Sequence, residues 1–261
     1  MKKLFQNMTI NQSLAHGLEI LLLYDTSQSL FTVSEISKKL GYSQSKAYRL
    51  VRTLTRYGLL QEDNGGARYS LGLNALRIGL LAQKQFNISM IARPLIKELS
   101  LFTKETVLLT AVNGTKGIVL ARVESEEPIR YSLFQPGVSI PLHCGASSKI
   151  LMAYLPEEDW DRIIAAEGLK RYTNNSITDA DRLKAHLKEI RKKGYAFSDQ
   201  EVDRDVRAVA APIMNGFGEL VGGLSVAGLA YRINNKKISS CGKLVVKYAQ
   251  EISNRLVPLR G

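Results

Sequence analysis

The chain has 261 residues, 45% of them hydrophobic and 23% charged, enough for one large domain or two modest ones with proper cores. Lys and Arg number 36 against 24 Asp and Glu, a net charge of +12 that favours an acidic partner such as nucleic acid. No apolar run reaches the roughly 18 residues that span a bilayer, the start MKKLFQNMTINQS lacks a signal core, and Cys144 and Cys241 stand far apart without metal-ligand spacing; membrane, secreted and zinc-finger classes drop out, and a cytoplasmic protein with free thiols is expected.

The first predicted helix runs through LAHGLEILLLYD with Ser13 as its cap. Thr32-x-x-Glu35 has the form of a capping box, Val33, Ile36 and Leu40 give the short helix behind it an apolar face, and Gly41 suits its left-handed end. Ser43 or Ser45 caps the next helix, in SQSKAYRLVRTLTRYG. On a wheel of about 100° per residue, Ala47, Leu50, Val51 and Leu54 share one direction, while Ser45, Arg49, Arg52 and Arg56 gather within about 40° of the opposite one. Between Glu35 and Glu62 there is no acidic residue, whereas Lys38, Lys39, Lys46, Arg49, Arg52 and Arg56 are all basic. A solvated helix face usually mixes signs, because i,i+4 carboxylates support the helix.

Two short helices joined through a glycine turn make a helix-turn-helix. LLQEDN and ARYSLG around Gly65-Gly66 read as a hairpin behind it, the wing of a winged helix. In that setting the arginine row faces DNA. Ser43, Gln44, Ser45 and Lys46 lie at the helix N-terminus, where base edges are read, with Gln44 suited to adenine and Lys46 to guanine. Arg49, Arg52 and Arg56 are expected to divide between base and phosphate, and Arg68 on the wing, with Lys2 or Lys3, to reach backbone or minor groove. Tyr48 has two readings, a DNA contact or packing under the helix.

Residues from Leu71 to about Met90 read as a connecting helix, and Pro94 suits the first turn of another. TVLLTAVNGTKGIVLARVES holds two strands around Asn113-Gly114, a strong hairpin signal. PIRYSLF is a further candidate strand. ASSKILMAYLP, PEEDWDRIIAAEG and TDADRLKAHLKEIRKKG look helical; YAFSDQEV, VRAVAAPIM and ELVGGLSVAG look like strands; a basic helix follows from Lys236. This order fits an antiparallel sheet carrying helices rather than βαβ alternation.

Enzyme signatures are weak. His143-Cys144 are adjacent and would point to opposite faces of a strand, and Ser147-Ser148-Lys149 lacks S-x-x-K spacing. Asp199, Glu201, Asp203 and Asp205 lack the glycine and terminal Glu of a calcium loop and read as a solvated edge or turn. His16, His186 and Trp160 read as packing or surface residues. No metal, cofactor or catalytic residue is expected. A DNA-binding architectural protein without a ligand is the remaining alternative, disfavoured by the large C-terminal part.

The sequence resembles the IclR family of bacterial transcriptional regulators along almost its whole length. QSLAHGLEILLLY and TVSEISKKLGYSQSKAYRLVRTLTRYGLL are similar to its first helix and helix-turn-helix; ARPLIKEL, GVSIPLHCGASSKILMAYLP, KKGYAFSDQEVDRDVRAVAAPI and GLSVAG are similar to its effector-binding half. The resemblance implies an α+β chain: an N-terminal winged helix-turn-helix (1–71), a linker helix (72–90), and a C-terminal α/β effector-binding and oligomerisation domain (91–261) with a curved, GAF-like antiparallel sheet. It implies a double-stranded DNA operator, a small-molecule effector and no membrane partner, in a homodimer or homotetramer with the connecting helix in the dimer contact. Repression of a catabolic operon is implied with it, and a small carboxylate or sugar acid as effector. The pocket residues carry over to Ala146, Ser147, Ser148, Ser198, Asp199, Ala208, Ser225 and Ala227, with Ile129, Tyr131 and Leu133 as an apolar wall. Lys149 is read as the partner of a nearby carboxylate such as Asp199. GASSK departs from the family's usual loop of glycine and alanine, and Ala208 and Ala227 lack groups that some members use, so effector identity does not transfer.

Overall fold

In the computed structural model, which describes residues 11–24, 28–63, 67–85, 87–130 and 134–256, helix α1 (Gln12–Leu21) is capped by Asn11, whose side-chain oxygen accepts from the Leu14 N–H at 3.0 Å. Ser13, the expected cap, lies inside the first turn; the cap falls two residues earlier because an Asn already stands in extended backbone there. Helix α2 (Val33–Leu40) carries the full capping box: Thr32 Oγ1 accepts from Glu35 N–H, and the Glu35 carboxylate accepts from Thr32 N–H at 2.7 Å. Gly41 ends it at φ +68°, in the left-handed region that costs glycine nothing. Helix α3 (Gln44–Arg56) follows, with Ser43 as its cap.

Strands β1 (Leu60–Glu62) and β2 (Tyr69–Leu71) pair antiparallel as the wing. Ile20, Phe31, Ile36, Ala47, Val51, Leu60 and Tyr69 are buried together beneath α3, so the apolar side of the wheel is the packed side. Helix α4 (Leu73–Gln85) completes the first unit, and the chain divides between Phe86 and Asn87.

The second unit opens with α5 (Asn87–Thr103). This helix runs through Pro94 rather than starting there, so the region expected as linker up to residue 90 already contains its first turn. Strands β3 (Thr106–Asn113) and β4 (Lys116–Val123) form the hairpin at Asn113-Gly114. Next come β5 (Ser139–Pro141), α6 (Ala146–Tyr154), α7 (Glu157–Glu167) and α8 (Ala180–Lys193). Strands β6 (Ala196–Asp199), β7 (Val206–Met214) and β8 (Leu220–Leu229) lead to α9 (Asn235–Leu256). The strands form one curved sheet in the order β5-β4-β3-β8-β7-β6, antiparallel at each pairing. PIRYSLF supplies no strand in its described part: residues 128–130 are irregular, and Tyr131–Leu133 lie outside the described residues, as do Lys2 and Lys3. The sheet edge beside β4 is taken by β5 instead, with Ile118 opposite Ser139.

Alternation along the strands divides the core in two. Val107, Leu109, Val209, Ala211, Leu224 and Val226 pack with α5 and α9. The opposite face is built from small residues, Ala208, Ala210 and Ala227 with Gly223 and Ser225, and it receives α6, with α7 and α8 outside. A Cβ on Gly223 would stand 2.9 Å from Ile150 Cγ2. The small residues thus bring α6 onto the sheet, and that approach builds the site described next.

Candidate functional site

Each unit carries a candidate site. On α3, Ala47, Val51 and Leu54 are buried, while Ser45, Arg49, Arg52 and Arg56 are exposed. The guanidinium groups of these three exposed arginines make no hydrogen bond or ion pair among the described residues. Tyr48 is half exposed on the same helix, so it does not pack underneath. Arg68 is exposed on the wing.

The N-terminal end of α3 is more occupied. Ser43 Oγ accepts from Lys46 N–H, and Gln44 Nε2 donates to Ser34 Oγ at 3.1 Å. Lys46 Nζ sits 4.0 Å from the centre of the Tyr42 ring and 3.2 Å from His16 Nε2. The Tyr42 hydroxyl donates to Glu19.

In the second unit the site forms where α6 begins. Gly145, at φ +85°, enters the helix without a side-chain cap, and a Cβ there would stand 2.8 Å from Val202. The Ala146, Ser147 and Ser148 N–H groups have no partner among the described residues, as expected of a first turn. All three residues line a small cavity of about 20 Å³, close to the volume of one water. Ser198, Ala208 and Ala227 join them from β6, β7 and β8, and Leu108, Phe134 and Val206 form its apolar side. Ser147 and Ser225 bond through their hydroxyls at 2.7 Å. The Ser148 and Ser198 hydroxyls, 2% and 4% exposed as residues, have no hydrogen-bond partner among the described residues and belong to the cavity wall.

Seven of the expected pocket residues are therefore brought together. Two described ones are not. Ile129 is exposed, and its carbonyl accepts from Arg232; without a strand at residues 128–130 nothing turns it inward. Asp199 faces Arg207 across the β6–β7 register, bonded at 2.7 and 3.1 Å. That guanidinium holds its carboxyl below the usual range. Tyr131 and Leu133 lie outside the described residues.

Lys149 pairs with Glu201, not Asp199. Its ammonium is fully buried, contacts the Glu201 carboxylate and His186 Nε2 (3.0 Å), and donates to the Phe197 carbonyl. Burial lowers its pKa, and Glu201 pushes it back up. The other Glu201 oxygen accepts from Gly145 N–H at 3.2 Å, while its backbone carbonyl accepts from Ser176 and Thr173. Glu201 thus holds the start of α6. Burial and the adjacent Lys149 drive the His186 pKa down to about 4. The sequence reading missed Glu201, and it missed Val202 and Asp203 on the cavity wall. Their signal was the acidic run itself, whose members point to different partners.

His143 and Cys144 lie in the turn after β5, not on a strand. His143 meets the Lys170 carbonyl, and Cys144 donates to the Glu201 carbonyl. Burial pushes the Cys144 thiol up to about 11, away from a reactive thiolate.

A winged helix-turn-helix presenting free arginines, followed by a unit with a polar cavity at a helix N-terminus, is the build of a DNA-binding transcriptional regulator. The bacterial transcriptional regulator IclR C-terminal family matches residues 81–254, and the IclR helix-turn-helix domain matches residues 13–64. The chain belongs to the IclR family. It is 32% identical over 247 residues to the HTH-type transcriptional regulator BhcR of Paracoccus denitrificans, covering 95% of this chain and 88% of that protein. Against the transcriptional repressor IclR of Escherichia coli, identity is 26%, covering 93% and 89%. The crystal structure of an IclR transcriptional regulator from Alicyclobacillus acidocaldarius superposes with a TM-score of 0.82 at 27% identity, covering 94% and 99%. The families and these relatives are transcriptional regulators rather than enzymes. Among the described residues no helix is long and apolar enough to cross a membrane, and no cluster of potential metal ligands occurs.

Proposed function

We propose that this regulator represses a catabolic operon and that a small carboxylate or sugar acid, bound at the start of α6, modulates its grip on the operator. The observation that carries the reading is the conjunction at that helix: three unpartnered N–H groups and two serines, Ser148 and Ser198, whose unpartnered hydroxyls belong to residues lining one small cavity. A helix N-terminus attracts anions through its free donors and its dipole, and serine hydroxyls without a protein partner are donors available to a ligand beside them. With about 20 Å³ available, an effector enters only by widening the space between α6 and the segment around Val202. That displacement is the signal sent onward.

On DNA, α3 lies in the major groove. Arg49, Arg52 and Arg56 reach outward to bases and phosphates, Tyr48 joins them, and Arg68 follows the backbone from the wing. Ser43 and Ser45 begin the helix at the base edges. Gln44 and Lys46 exchange their contacts with Ser34, Tyr42 and His16 for DNA. Exposed leucines on α1 and its C-cap (Leu14, Leu18, Leu22) and on α4 (Leu73, Leu76, Leu80) support a homodimer, because apolar stripes of this spacing seek a second surface.

Ser147→Leu tests the effector half. The larger side chain fills the cavity and breaks the bond to Ser225, so ligand response measured by thermal shift against a panel of organic acids and sugar acids disappears while operator binding stays close to normal. Undiminished ligand affinity in that variant places the pocket elsewhere.

A further inference from the structure

The cavity at α6 is lined by the donor-bearing start of that helix and also by an acidic residue, Asp203. Asp203 belongs to its wall, is exposed, and makes no ion pair or hydrogen bond among the described residues. No Lys, Arg or His side chain joins the described cavity lining. Lys149, which follows Ser148, is turned away and held by Glu201 and His186, and Arg204, which follows Asp203, is exposed and outside the lining. An anionic ligand group is therefore held by neutral donors alone, the α6 amides with Ser148 and Ser198. An ionised Asp203 can only accept: a second ligand carboxylate brought to it is repelled, whereas a ligand hydroxyl or ammonium donates to it. Hydrogen bonds to a charged acceptor are the stronger kind.

We infer that the effector is a small monocarboxylate bearing a hydrogen-bond donor, hydroxyl or ammonium, near its carboxyl group, and that Asp203 is the residue that selects it. The inference rests on the reading of the α6 cavity as the effector site. It excludes unsubstituted fatty acids, which leave Asp203 without a partner, and dicarboxylates, which repel it.

The test uses the full chain, isothermal titration calorimetry and four matched probes: propionate, lactate, alanine and malonate. The expected result is that lactate or alanine binds at least about tenfold more tightly than propionate, a difference of about 1.4 kcal/mol, and that malonate fails to compete. Lactate and alanine together separate the hydroxyl from the ammonium. Asp203→Asn should bring the preferred probe to within about threefold of propionate, with propionate itself bound no more weakly, since the amide end of the site is untouched and a repelling carboxylate is gone. Equal binding of propionate and both donor-bearing probes, tighter malonate, an unaltered preference in Asp203→Asn, or no binding by any probe up to about 10 mM overturns the inference. Failure of the cavity reading is distinguished by Ser147→Leu, which then leaves binding of all probes undiminished.

Discussion

Replacing Glu201 with Gln tests the ionic lock behind α6 most directly. Gln keeps the shape and an acceptor for Gly145 N–H but removes the charge facing Lys149, whose side chain is fully buried. Removing one member of a buried pair typically costs about 3–5 kcal/mol, because the remaining charge is left uncompensated. The structure also sets a ceiling. The stranded lysine can shed its proton, and from a normal value near 10.4 this costs about 1.36 kcal/mol per unit, or roughly 4–5 kcal/mol at pH 7. Burial has already lowered the Lys149 pKa in the native protein, so the expected loss is about 3–4 kcal/mol. For a unit of this size that is a fall in Tm of roughly 6–16 °C.

The sign of the pH dependence follows. In the variant the folded state holds Lys149 neutral while the unfolded state still binds its proton, so stability rises with pH up to about 10.4. Urea unfolding of both proteins at pH 7 and 9 should show the gap narrowing. Adding Lys149→Met to Glu201→Gln removes the stranded ammonium and should recover part of the loss. A single-variant loss below about 1 kcal/mol, or a gap that widens with pH, refutes the argument.

Arg49→Ala is expected to weaken operator binding by about 1–3 kcal/mol if the side chain reads a base, and Arg56→Ala to weaken all sequences alike and flatten the salt dependence by about one unit; fluorescence anisotropy over a salt series separates the two, and unchanged affinity in both folded variants rejects the α3 assignment. His186, with its pKa depressed to about 4, contributes stability that is present above its unfolded value near 6.5 and lost as pH falls through 4, by about 2 kcal/mol once partial exposure is allowed for. His186→Gln should flatten the acid limb of denaturant stability between those values, and an identical limb in both proteins removes the histidine from it.

Local signals carried the first unit. The Thr32–Glu35 box, Gly41, Ser43 and the two-sided wheel of α3 each act within a few residues, and each stands where the sequence placed it. The same holds for the Asn113-Gly114 hairpin. The candidate effector site was legible only through the family resemblance, because its residues come from α6, β6, β7 and β8 and meet only when the sheet assembles. Ile129 and α5 went astray for related reasons. A β-like run does not form a strand when another segment, Ser139–Pro141, takes the edge of β4, and a proline does not begin a helix whose first turn forms before it.

The run Asp199, Glu201, Asp203, Asp205 shows where the limit lies. Its composition and spacing are those of a solvated edge, and for Asp205, exposed in a left-handed turn at φ 61°, that description is adequate. Asp199 finds Arg207 because β6 and β7 pair in one register rather than another. Glu201 is buried because Lys149, 52 positions earlier, approaches it from α6, and α6 approaches only because Gly223 and its small neighbours leave room. Asp203, two residues on, is exposed on the cavity lining without a partner among the described residues. Four acidic residues of one local pattern thus acquire four different chemical roles from contacts made at long range, and the roles closest to the candidate effector site belong to the two whose sequence context distinguished them least.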